Sequence, residues 1–281
     1  MSSGKLAAVI GWPVAQSLSP LLHSYWLRMH DLDGAYVALP VAPENFGRSV
    51  AALPLMGFVG ANVTVPHKQA AFALASTVDD DARATGAVNT LVFHDGTING
   101  MNTDVRGFAA SLADSLGEGA CSVGPVAVLG AGGAARAILL ALQQGGAPEI
   151  RLVNRTAARA EALAKSHGWS ARVSLVKWGD WRKAFSDAAL VVNTTSLGMI
   201  GRPPLELSLD SLPSQAAVAD IVYNPLETAL LRQARSRGHR TMNGLGMLMH
   251  QARPAFAAWF GVMPEVTEGL RAELVKVLSR A

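Results

Sequence analysis

Cysteine is nearly absent from this sequence of 281 residues, which carries Cys121 as its single example. One thiol cannot form an internal disulfide, so the disulfide frameworks of small secreted domains are excluded and a reducing compartment fits. Cys121 lies in a connector rich in glycine and serine, with no histidine beside it. This setting predicts an incidental thiol and not a nucleophile.

The sequence also lacks a large excess of charge of one sign and long apolar runs. The net charge is +3 without any block of Lys or Arg, which disfavours a nucleic-acid partner and fits small anionic ligands. No apolar run approaches the ~20 residues of a membrane span. The short run at 6–10 is broken by Gly11-Trp12-Pro13, so it predicts a buried strand and not a signal peptide. We expect a soluble, cytoplasmic protein.

Half of the residues are hydrophobic, which is enough for a sizeable core and for two domains. In the first half, alternating strand and helix patterns predict a mostly parallel α/β sheet with an acidic turn at Asp79-Asp80-Asp81 and a hairpin turning at Asp95-Gly96. In the second half, six buried strands predict a doubly wound, Rossmann-like sheet; they lie near 126–129, 149–154, 172–176, 190–193, 218–221 and 240–242. Helices at about 247–260 and 264–279 finish the chain.

The most informative stretch begins at Val126, where a valine-rich strand runs into a glycine cluster and then an alanine-rich helix. Its spacing, Gly-x-Gly-x-x-Ala, is a variant of the dinucleotide fingerprint. The first glycine allows a sharp turn, the second lets backbone approach a pyrophosphate, and the helix N-terminus attracts phosphate. The predicted cofactor contacts here are Gly130, Ala131, Gly132, Gly133 and Ala134.

The next strand ends at Asn154-Arg155-Thr156. Proteins that bind NAD usually place an acid near this point, whereas an arginine accommodates the 2′-phosphate of NADP. Here the acid is absent and Arg155 is present, with Arg159 one helical turn further on. Two solvated arginines would be the alternative, but the pattern favours an NADP-binding domain.

Polar residues follow predicted strands or begin helices in the first half, where ligands of α/β sheets collect. Singly, each has an ordinary explanation as a helix cap, a turn residue or a solvated lysine. Ser19, which precedes Pro20, is the expected N-cap of the first helix. Together they supply hydroxyls, an amide, one ammonium and one carboxylate, a set suited to a polyhydroxylated substrate and to proton transfer. They are Ser17, Ser19, Thr64, Lys68, Asn89 and Asp104. No His/Cys/Asp cluster has metal-ligand spacing, so we predict no metal.

Nine motifs of this sequence resemble those of the shikimate dehydrogenase family. In chain order they are Ser17-Leu-Ser19-Pro20, Asn62-Val-Thr64-Val-Pro-His-Lys68, Gly86-Ala-Val-Asn89-Thr, Asn99-Gly-Met-Asn102-Thr-Asp104, Gly130-Ala-Gly-Gly-Ala134, Asn154-Arg155-Thr156, Asn193-Thr-Thr-Ser-Leu-Gly-Met199, Asp220-Ile-Val-Tyr223-Asn-Pro225 and Gly246-Met-Leu-Met-His-Gln251. Each is weak alone, but their order and number are specific and they cover nearly the whole chain.

The resemblance implies reduction of 3-dehydroshikimate to shikimate with NADPH, a step towards aromatic amino acids. It implies Lys68 as proton donor to the C3 oxygen, with Asp104 orienting it. Further substrate contacts would be Ser17, Ser19, Thr64, Asn89, Tyr223 and Gln251. Thr194, Met199, Gly244 and Met247 would join the fingerprint residues around NADP.

The family organisation implies a substrate-binding and catalytic α/β domain at 1–104, completed by C-terminal helices at 244–281. The NADP-binding domain would be inserted between them, at 105–243. The partner is a small molecule, with neither nucleic acid nor membrane, and the assembly is a monomer or a homodimer.

Two rival functions use the same fold. A quinate/shikimate dehydrogenase often uses NAD, but Ser17 stands where quinate users tend to carry a bulkier hydroxyl residue, and Arg155 replaces the acid. A non-catalytic ligand sensor would lack Lys68 or Asp104, and both are present. Gln69, Thr85 and Asn243 depart from the family pattern, outside the residues assigned to chemistry.

Overall fold

The fold is described from a computed structural model, for residues 4–166 and 173–279. The chain divides into two compact units: Met1–Asp104 together with Met249–Ala281, and Val105–Leu248. The sequence-based division ended the second domain at residue 243. In the structure the second boundary lies five residues later, inside a helix that begins at Gly244.

The first unit is built on a six-stranded sheet whose strand order is β2-β1-β3-β5-β6-β4. The pairs β1–β2, β1–β3 and β4–β6 are parallel, whereas β5 runs antiparallel to both of its neighbours. The sheet is therefore mixed, since the predicted hairpin enters it as β5 and β6. The strands are β1 Lys5–Gly11, β2 Gly34–Pro40, β3 Phe58–Val63, β4 Thr77–Val78, β5 Thr90–His94 and β6 Thr97–Met101.

The helices of the first unit cover this sheet, and one of them was not predicted. The acidic triplet at Asp79 was interpreted as a turn, but Asp79 caps a short helix by accepting from the amide of Ala82 at 2.7 Å. An acid at this position also favours a helix N-terminus electrostatically. The helices are α1 Ser19–Met29, α2 Phe46–Ala52, α3 Lys68–Leu74, α4 Asp80–Thr85 and, near the end of the chain, α11 Glu268–Leu278 and the part of α10 Gly244–Phe260 that follows Leu248.

The C-terminal segment is part of the core of the first unit. Trp259 is almost fully buried, and its indole N–H donates to the carbonyl of Leu91 on β5 at 3.0 Å. A Cβ at Gly60 would lie 2.0 Å from that indole nitrogen, so glycine is required on β3 for the ring to reach the sheet. Apolar burial of this size is the main source of the stability of the unit.

The second unit has a six-stranded sheet in the order β12-β11-β10-β7-β8-β9, with every ladder parallel. This is the predicted doubly wound arrangement. The strands are β7 Val126–Leu129, β8 Ile150–Asn154, β9 Val173–Lys177, β10 Leu190–Asn193, β11 Ala217–Asp220 and β12 Arg240–Met242. Arg172, where we expected β9 to begin, lies outside the described residues.

The remaining helices are α5 Asp104–Leu116, α6 Gly133–Gln144, α7 Ala157–Lys165, α8 Trp181–Phe185 and α9 Ala229–Ser236. In the described part of the chain, no helix has the length and apolar character to cross a membrane.

Candidate active site

An ion pair between Lys68 and Asp104 is the centre of the site in the first unit. The Nζ of Lys68 lies 2.5 Å from Oδ2 of Asp104, and the two side chains are 15% and 8% exposed. Lys68 is the first residue of α3 and Asp104 the first residue of α5, so the ends of two helices hold the pair. In a partly buried setting the attraction is screened less than at the surface.

Asn89 binds the other oxygen of the Asp104 carboxylate. Its Nδ2 donates to Asp104 Oδ1 at 2.9 Å, while its Oδ1 accepts from the backbone amide of Thr103 at 2.8 Å. The amide of Asn89 is thereby held in one orientation. Gln251 approaches the same group, with its Oε1 3.3 Å from Asn89 Nδ2. Four of the predicted site residues therefore lie together.

Thr64 lies at the carboxyl end of β3, beside the carboxyl end of its parallel neighbour β1. Thr64 follows β3, and its amide donates to the carbonyl of Ile10 on β1 at 2.9 Å. A Cβ at Gly11 would lie 2.5 Å from the Thr64 methyl carbon, so the glycine at the end of β1 makes room for this side chain. Ligands of such sheets bind at this edge.

Ser17 and Ser19 begin the first helix, but not in the predicted manner. Ser19 was expected to be the N-cap; it is instead the first helical residue, after Leu18. The oxygen that accepts at this end belongs to Ser17, whose Oγ receives the amide of Ser19 at 3.2 Å. Ser19 is buried and Ser17 is partly exposed.

A set of buried polar residues connected to the ion pair was not predicted from the sequence. Tyr36 on β2 donates its hydroxyl to Asn62 Oδ1 at 2.6 Å, and Asn62 Nδ2 donates to Thr90 Oγ1 at 3.1 Å. Thr90 then contacts Oδ1 of Asn89 at 3.2 Å. Asn62 and Thr90 belong to two of the family motifs, which could have indicated them, whereas Tyr36 belongs to none.

In the second unit, the glycine-rich turn leaves space where a ligand would need it. Gly130 has φ +105°, and a Cβ there would lie 2.8 Å from Oγ1 of Thr194. Gly132 and Gly133 are exposed and have nothing within 4 Å of a built Cβ. Since α6 begins at Gly133 without a side-chain cap, its first amides are suited to an anion. Ala131 and Ala134 complete the turn.

The segment after β8 lies beside this turn. Asn154 accepts the amide of Ala131 at its Oδ1, 3.2 Å away, and donates its Nδ2 to the carbonyl of Thr156 at 2.8 Å. The Asn154 side chain thus ties the glycine turn to the start of α7. Arg155, Thr156 and Arg159 are all exposed there.

A buried carboxylate organises the neighbouring strand ends. Asp220 at the end of β11 accepts Nδ2 of Asn193 at 2.9 Å, the amide of Val222 at 3.0 Å and Oγ1 of Thr228 at 2.7 Å. Burial raises the pKa of Asp220 to about 6, against the opposing effect of these hydrogen bonds. Tyr223, one of the predicted substrate contacts, directly follows Val222 and belongs to this second unit.

The other predicted cofactor residues are also in the second unit. Thr194 is buried and donates its hydroxyl to the carbonyl of Leu129 at 2.8 Å, whereas Met199 is partly exposed. Gly244 begins α10 so close to the segment after β11 that a Cβ would lie 2.0 Å from the carbonyl oxygen of Ile221. Met247 is buried in the next turn. Within residues 4–166 and 173–279, no group of three or more His, Cys, Asp or Glu side chains is placed to hold a metal ion.

Two family models match the chain. Residues 9–91 match the shikimate dehydrogenase substrate binding domain, and residues 111–200 match shikimate / quinate 5-dehydrogenase. The shikimate dehydrogenase (NADP(+)) of Rhodospirillum rubrum is 51% identical over 280 residues, covering 98% of this chain and 99% of that protein.

Solved structures agree with these matches. Shikimate 5-dehydrogenase from Thermus thermophilus, in complex with NADP(H) and shikimate, is 36% identical with a TM-score of 0.83 and covers 98% of this chain and 99% of its own. Quinate dehydrogenase from Corynebacterium glutamicum, in complex with NAD, is 31% identical with a TM-score of 0.89 and covers 98% of this chain and all of its own.

Proposed function

Because this chain belongs to the shikimate dehydrogenase family, we propose that it catalyses the NADP-dependent interconversion of 3-dehydroshikimate and shikimate in aromatic amino-acid biosynthesis. The observation that carries the proposal is the 2.5 Å ion pair of Lys68 with Asp104, whose second oxygen is bound by Asn89. An ammonium held by a fixed carboxylate is a suitable proton donor and acceptor for a ketone–alcohol couple.

The residues of the second unit fit a dinucleotide phosphate. The open space at Gly132 and Gly133, and the uncapped start of α6, suit a pyrophosphate. Exposed guanidinium groups beside this turn suit the additional 2′-phosphate of NADP, since arginine binds phosphate through two parallel N–H groups. We assign Asn154, Arg155, Thr156 and Arg159 to this end of the cofactor, and Thr194, Met199, Gly244 and Met247 to its remainder.

The proposed chemistry of the chain is a proton transfer at Lys68. Bound NADPH supplies the hydride for the C3 carbon. The Nζ of Lys68 gives a proton to the C3 oxygen in reduction and takes it back in oxidation, so no free alkoxide has to form. Asp104 orients the ammonium and accepts a substrate hydroxyl, and Asn89 keeps the carboxylate in place. Pre-oriented groups of this kind lower the barrier because they do not reorganise during the reaction.

The remaining substrate contacts follow from the chemistry of shikimate, which carries one carboxylate and three hydroxyls. We assign Ser17 and Ser19 to the carboxylate, since hydroxyl donors at the start of a helix suit an anion. We assign Thr64, Tyr223 and Gln251 to the ring hydroxyls. We further propose that the enzyme works in the cytoplasm, as a monomer or a homodimer.

A second candidate is a quinate dehydrogenase that uses NAD, which the Corynebacterium glutamicum structure represents within this fold. Arg155 disfavours this candidate, because NAD carries a free 2′-hydroxyl and no 2′-phosphate for the guanidinium to bind. The test is the rise of NADPH or NADH absorbance with shikimate or quinate and either oxidised cofactor. Turnover restricted to shikimate and NADP⁺ supports the proposal, and comparable quinate or NAD⁺ turnover would replace it. Calorimetric shikimate binding without turnover would indicate a sensor.

A further inference from the structure

A chain of hydrogen bonds connects Tyr36 to the ion pair through the interior of the first unit. Tyr36 is 5% exposed, and its hydroxyl donates to Asn62 Oδ1 at 2.6 Å. Because that oxygen is occupied, the Nδ2 of Asn62 faces Thr90 Oγ1 at 3.1 Å and the carbonyl of Asn89 at 3.3 Å. The orientation of one buried amide is thus set by a phenol.

The direction of donation continues towards the carboxylate. Thr90 Oγ1 accepts from Asn62 and directs its own hydrogen to Oδ1 of Asn89 at 3.2 Å. Asn89 then presents its Nδ2 to Asp104 Oδ1 at 2.9 Å. Each group both accepts and donates in the same sense, so every bond polarises the next one.

The ring of His23 holds Tyr36, the first residue of this series of hydrogen bonds, in place. The Tyr36 ring is stacked on that of His23, with centroids 4.0 Å apart and an angle of 5°. Burial strongly raises the pKa of Tyr36 and lowers that of His23 to about 3, so both rings remain neutral across the physiological range. A neutral phenol is the form that donates a hydrogen bond.

We propose that Tyr36 is a positioning residue of the reaction: through Asn62, Thr90 and Asn89 it fixes the Asp104 carboxylate that orients Lys68. Asn62 and Thr90 occupy buried strand positions that apolar residues could fill, and burying their polar groups has a cost unless the groups are bonded. Their hydrogen bonds all point in one direction, towards the ion pair of Lys68 and Asp104, and so help to fix its carboxylate. This inference rests on the proposed function of Lys68 and Asp104.

The test is a double-mutant cycle on shikimate oxidation. Tyr36→Phe removes one oxygen, and we expect a fall in kcat of about fivefold with shikimate KM within twofold. In an Asp104→Asn background the same substitution is expected to change kcat less than twofold, because the group through which Tyr36 acts is gone. An equal loss in both backgrounds, or no loss in the wild type, would overturn the inference.

Two further comparisons separate positioning from folding. Thr90→Val interrupts the series of hydrogen bonds and is expected to lower kcat as Tyr36→Phe does. Thr90→Ser keeps the hydroxyl and is expected to retain most of the wild-type kcat. Tyr25→Phe on α1, where the partly exposed side chain has its hydroxyl 3.5 Å from Oγ1 of Thr267, is the matched control with unchanged kcat. Calorimetric shikimate binding without cofactor should stay within twofold throughout. If the wild type neither binds nor oxidises shikimate, the proposed function itself fails. If Thr90→Val keeps the full kcat, only the inferred role of the hydrogen bonds from Tyr36 to Asp104 is wrong.

Discussion

Asn193 and Asp220 are directly opposite each other on the neighbouring strands β10 and β11, and their side chains are hydrogen-bonded at 2.9 Å. Both strands end there, so this contact joins the two loops that carry Thr194 and Tyr223. Asp220 has no exposed surface and accepts three hydrogen bonds. The geometry of this part of the second unit depends on one carboxylate.

Asp220→Asn is predicted to change how stability depends on pH. Burial raises the pKa of Asp220 to about 6, above about 3.9 in an unfolded chain. The folded protein binds this proton more tightly, so the contribution of Asp220 to the free energy of unfolding falls by roughly 3 kcal/mol as pH rises from about 4 to about 6. The variant lacks this loss, and urea unfolding at pH 4.5 and pH 7 measures it. Asp31→Asn, at an exposed position, is the control; equal pH slopes in wild type and Asp220→Asn would contradict the prediction.

His23→Phe is predicted to act in the opposite direction. Burial lowers the pKa of His23 to about 3, whereas an unfolded chain has about 6.5. The stability due to the neutral ring is fully present above pH 6.5 and is lost as pH falls towards 3, on the order of 5 kcal/mol over the whole range. The variant should therefore lose less stability between pH 6.5 and 4.5 than the wild type. His94→Gln, at an exposed position, should follow the wild type; an unchanged slope for His23→Phe would show that His23 is not the acid-sensitive group.

Two glycine substitutions should separate ligand binding from folding. Gly132→Ala adds a methyl group to open space, so we expect a loss of less than about 1 kcal/mol in stability but at least a tenfold rise in the KM for NADP⁺. Gly244→Ala drives a Cβ against the carbonyl of Ile221 and should cost about 2 kcal/mol or more. Thermal unfolding and steady-state kinetics on both proteins provide the comparison. The reverse pattern would mean that the glycine turn does not contact the cofactor.

Arg155→Ala is predicted to weaken NADPH far more than NADH. Only NADPH carries the 2′-phosphate that the guanidinium would bind, so we expect its KM to rise about tenfold to a hundredfold while that for NADH changes little. Arg232→Ala on α9 is the control for loss of an exposed charge. Equal losses with both cofactors would remove Arg155 from this role.

Lys68→Ala is predicted to lower kcat by about two to four orders of magnitude with shikimate affinity changed only a few-fold, as for a group that acts mainly in the transition state. Single-turnover absorbance and calorimetry measure the two quantities. Lys276→Ala, exposed on α11, should behave as the wild type. If turnover survives in Lys68→Ala, another residue supplies the proton.

What the sequence predicted well is local. The strand, turn and helix around Gly130 are consecutive in the chain, so spacing and small residues were sufficient to predict them, and the doubly wound sheet followed from six apolar runs. The acidic triplet at Asp79 was misjudged because the same residues favour a turn and a helix start. The residue types of the triplet alone do not distinguish a turn from a helix start.

The hydrogen bonds behind the ion pair could not be predicted in the same way. Tyr36 and Asn62 are on strands that are not adjacent, with β1 between them, and only the sheet order brings Asn62 next to Thr90. The periodicity of apolar residues in the sequence does not indicate the order of strands in a sheet. Motif residues such as Asn62 were visible as candidates, but their partners required the fold.

The core of the first unit receives Trp259 from the far end of the chain, and this has a consequence for protein synthesis. When residues 4–104 leave the ribosome, the space beside Gly60 and His23 has no aromatic side chain to fill it until the segment after Met249 is made. At translation rates of about 5–20 residues per second, that delay is on the order of ten seconds. During this interval the nascent chain exposes an apolar surface, so this half of the protein completes its folding only after the other half has been translated.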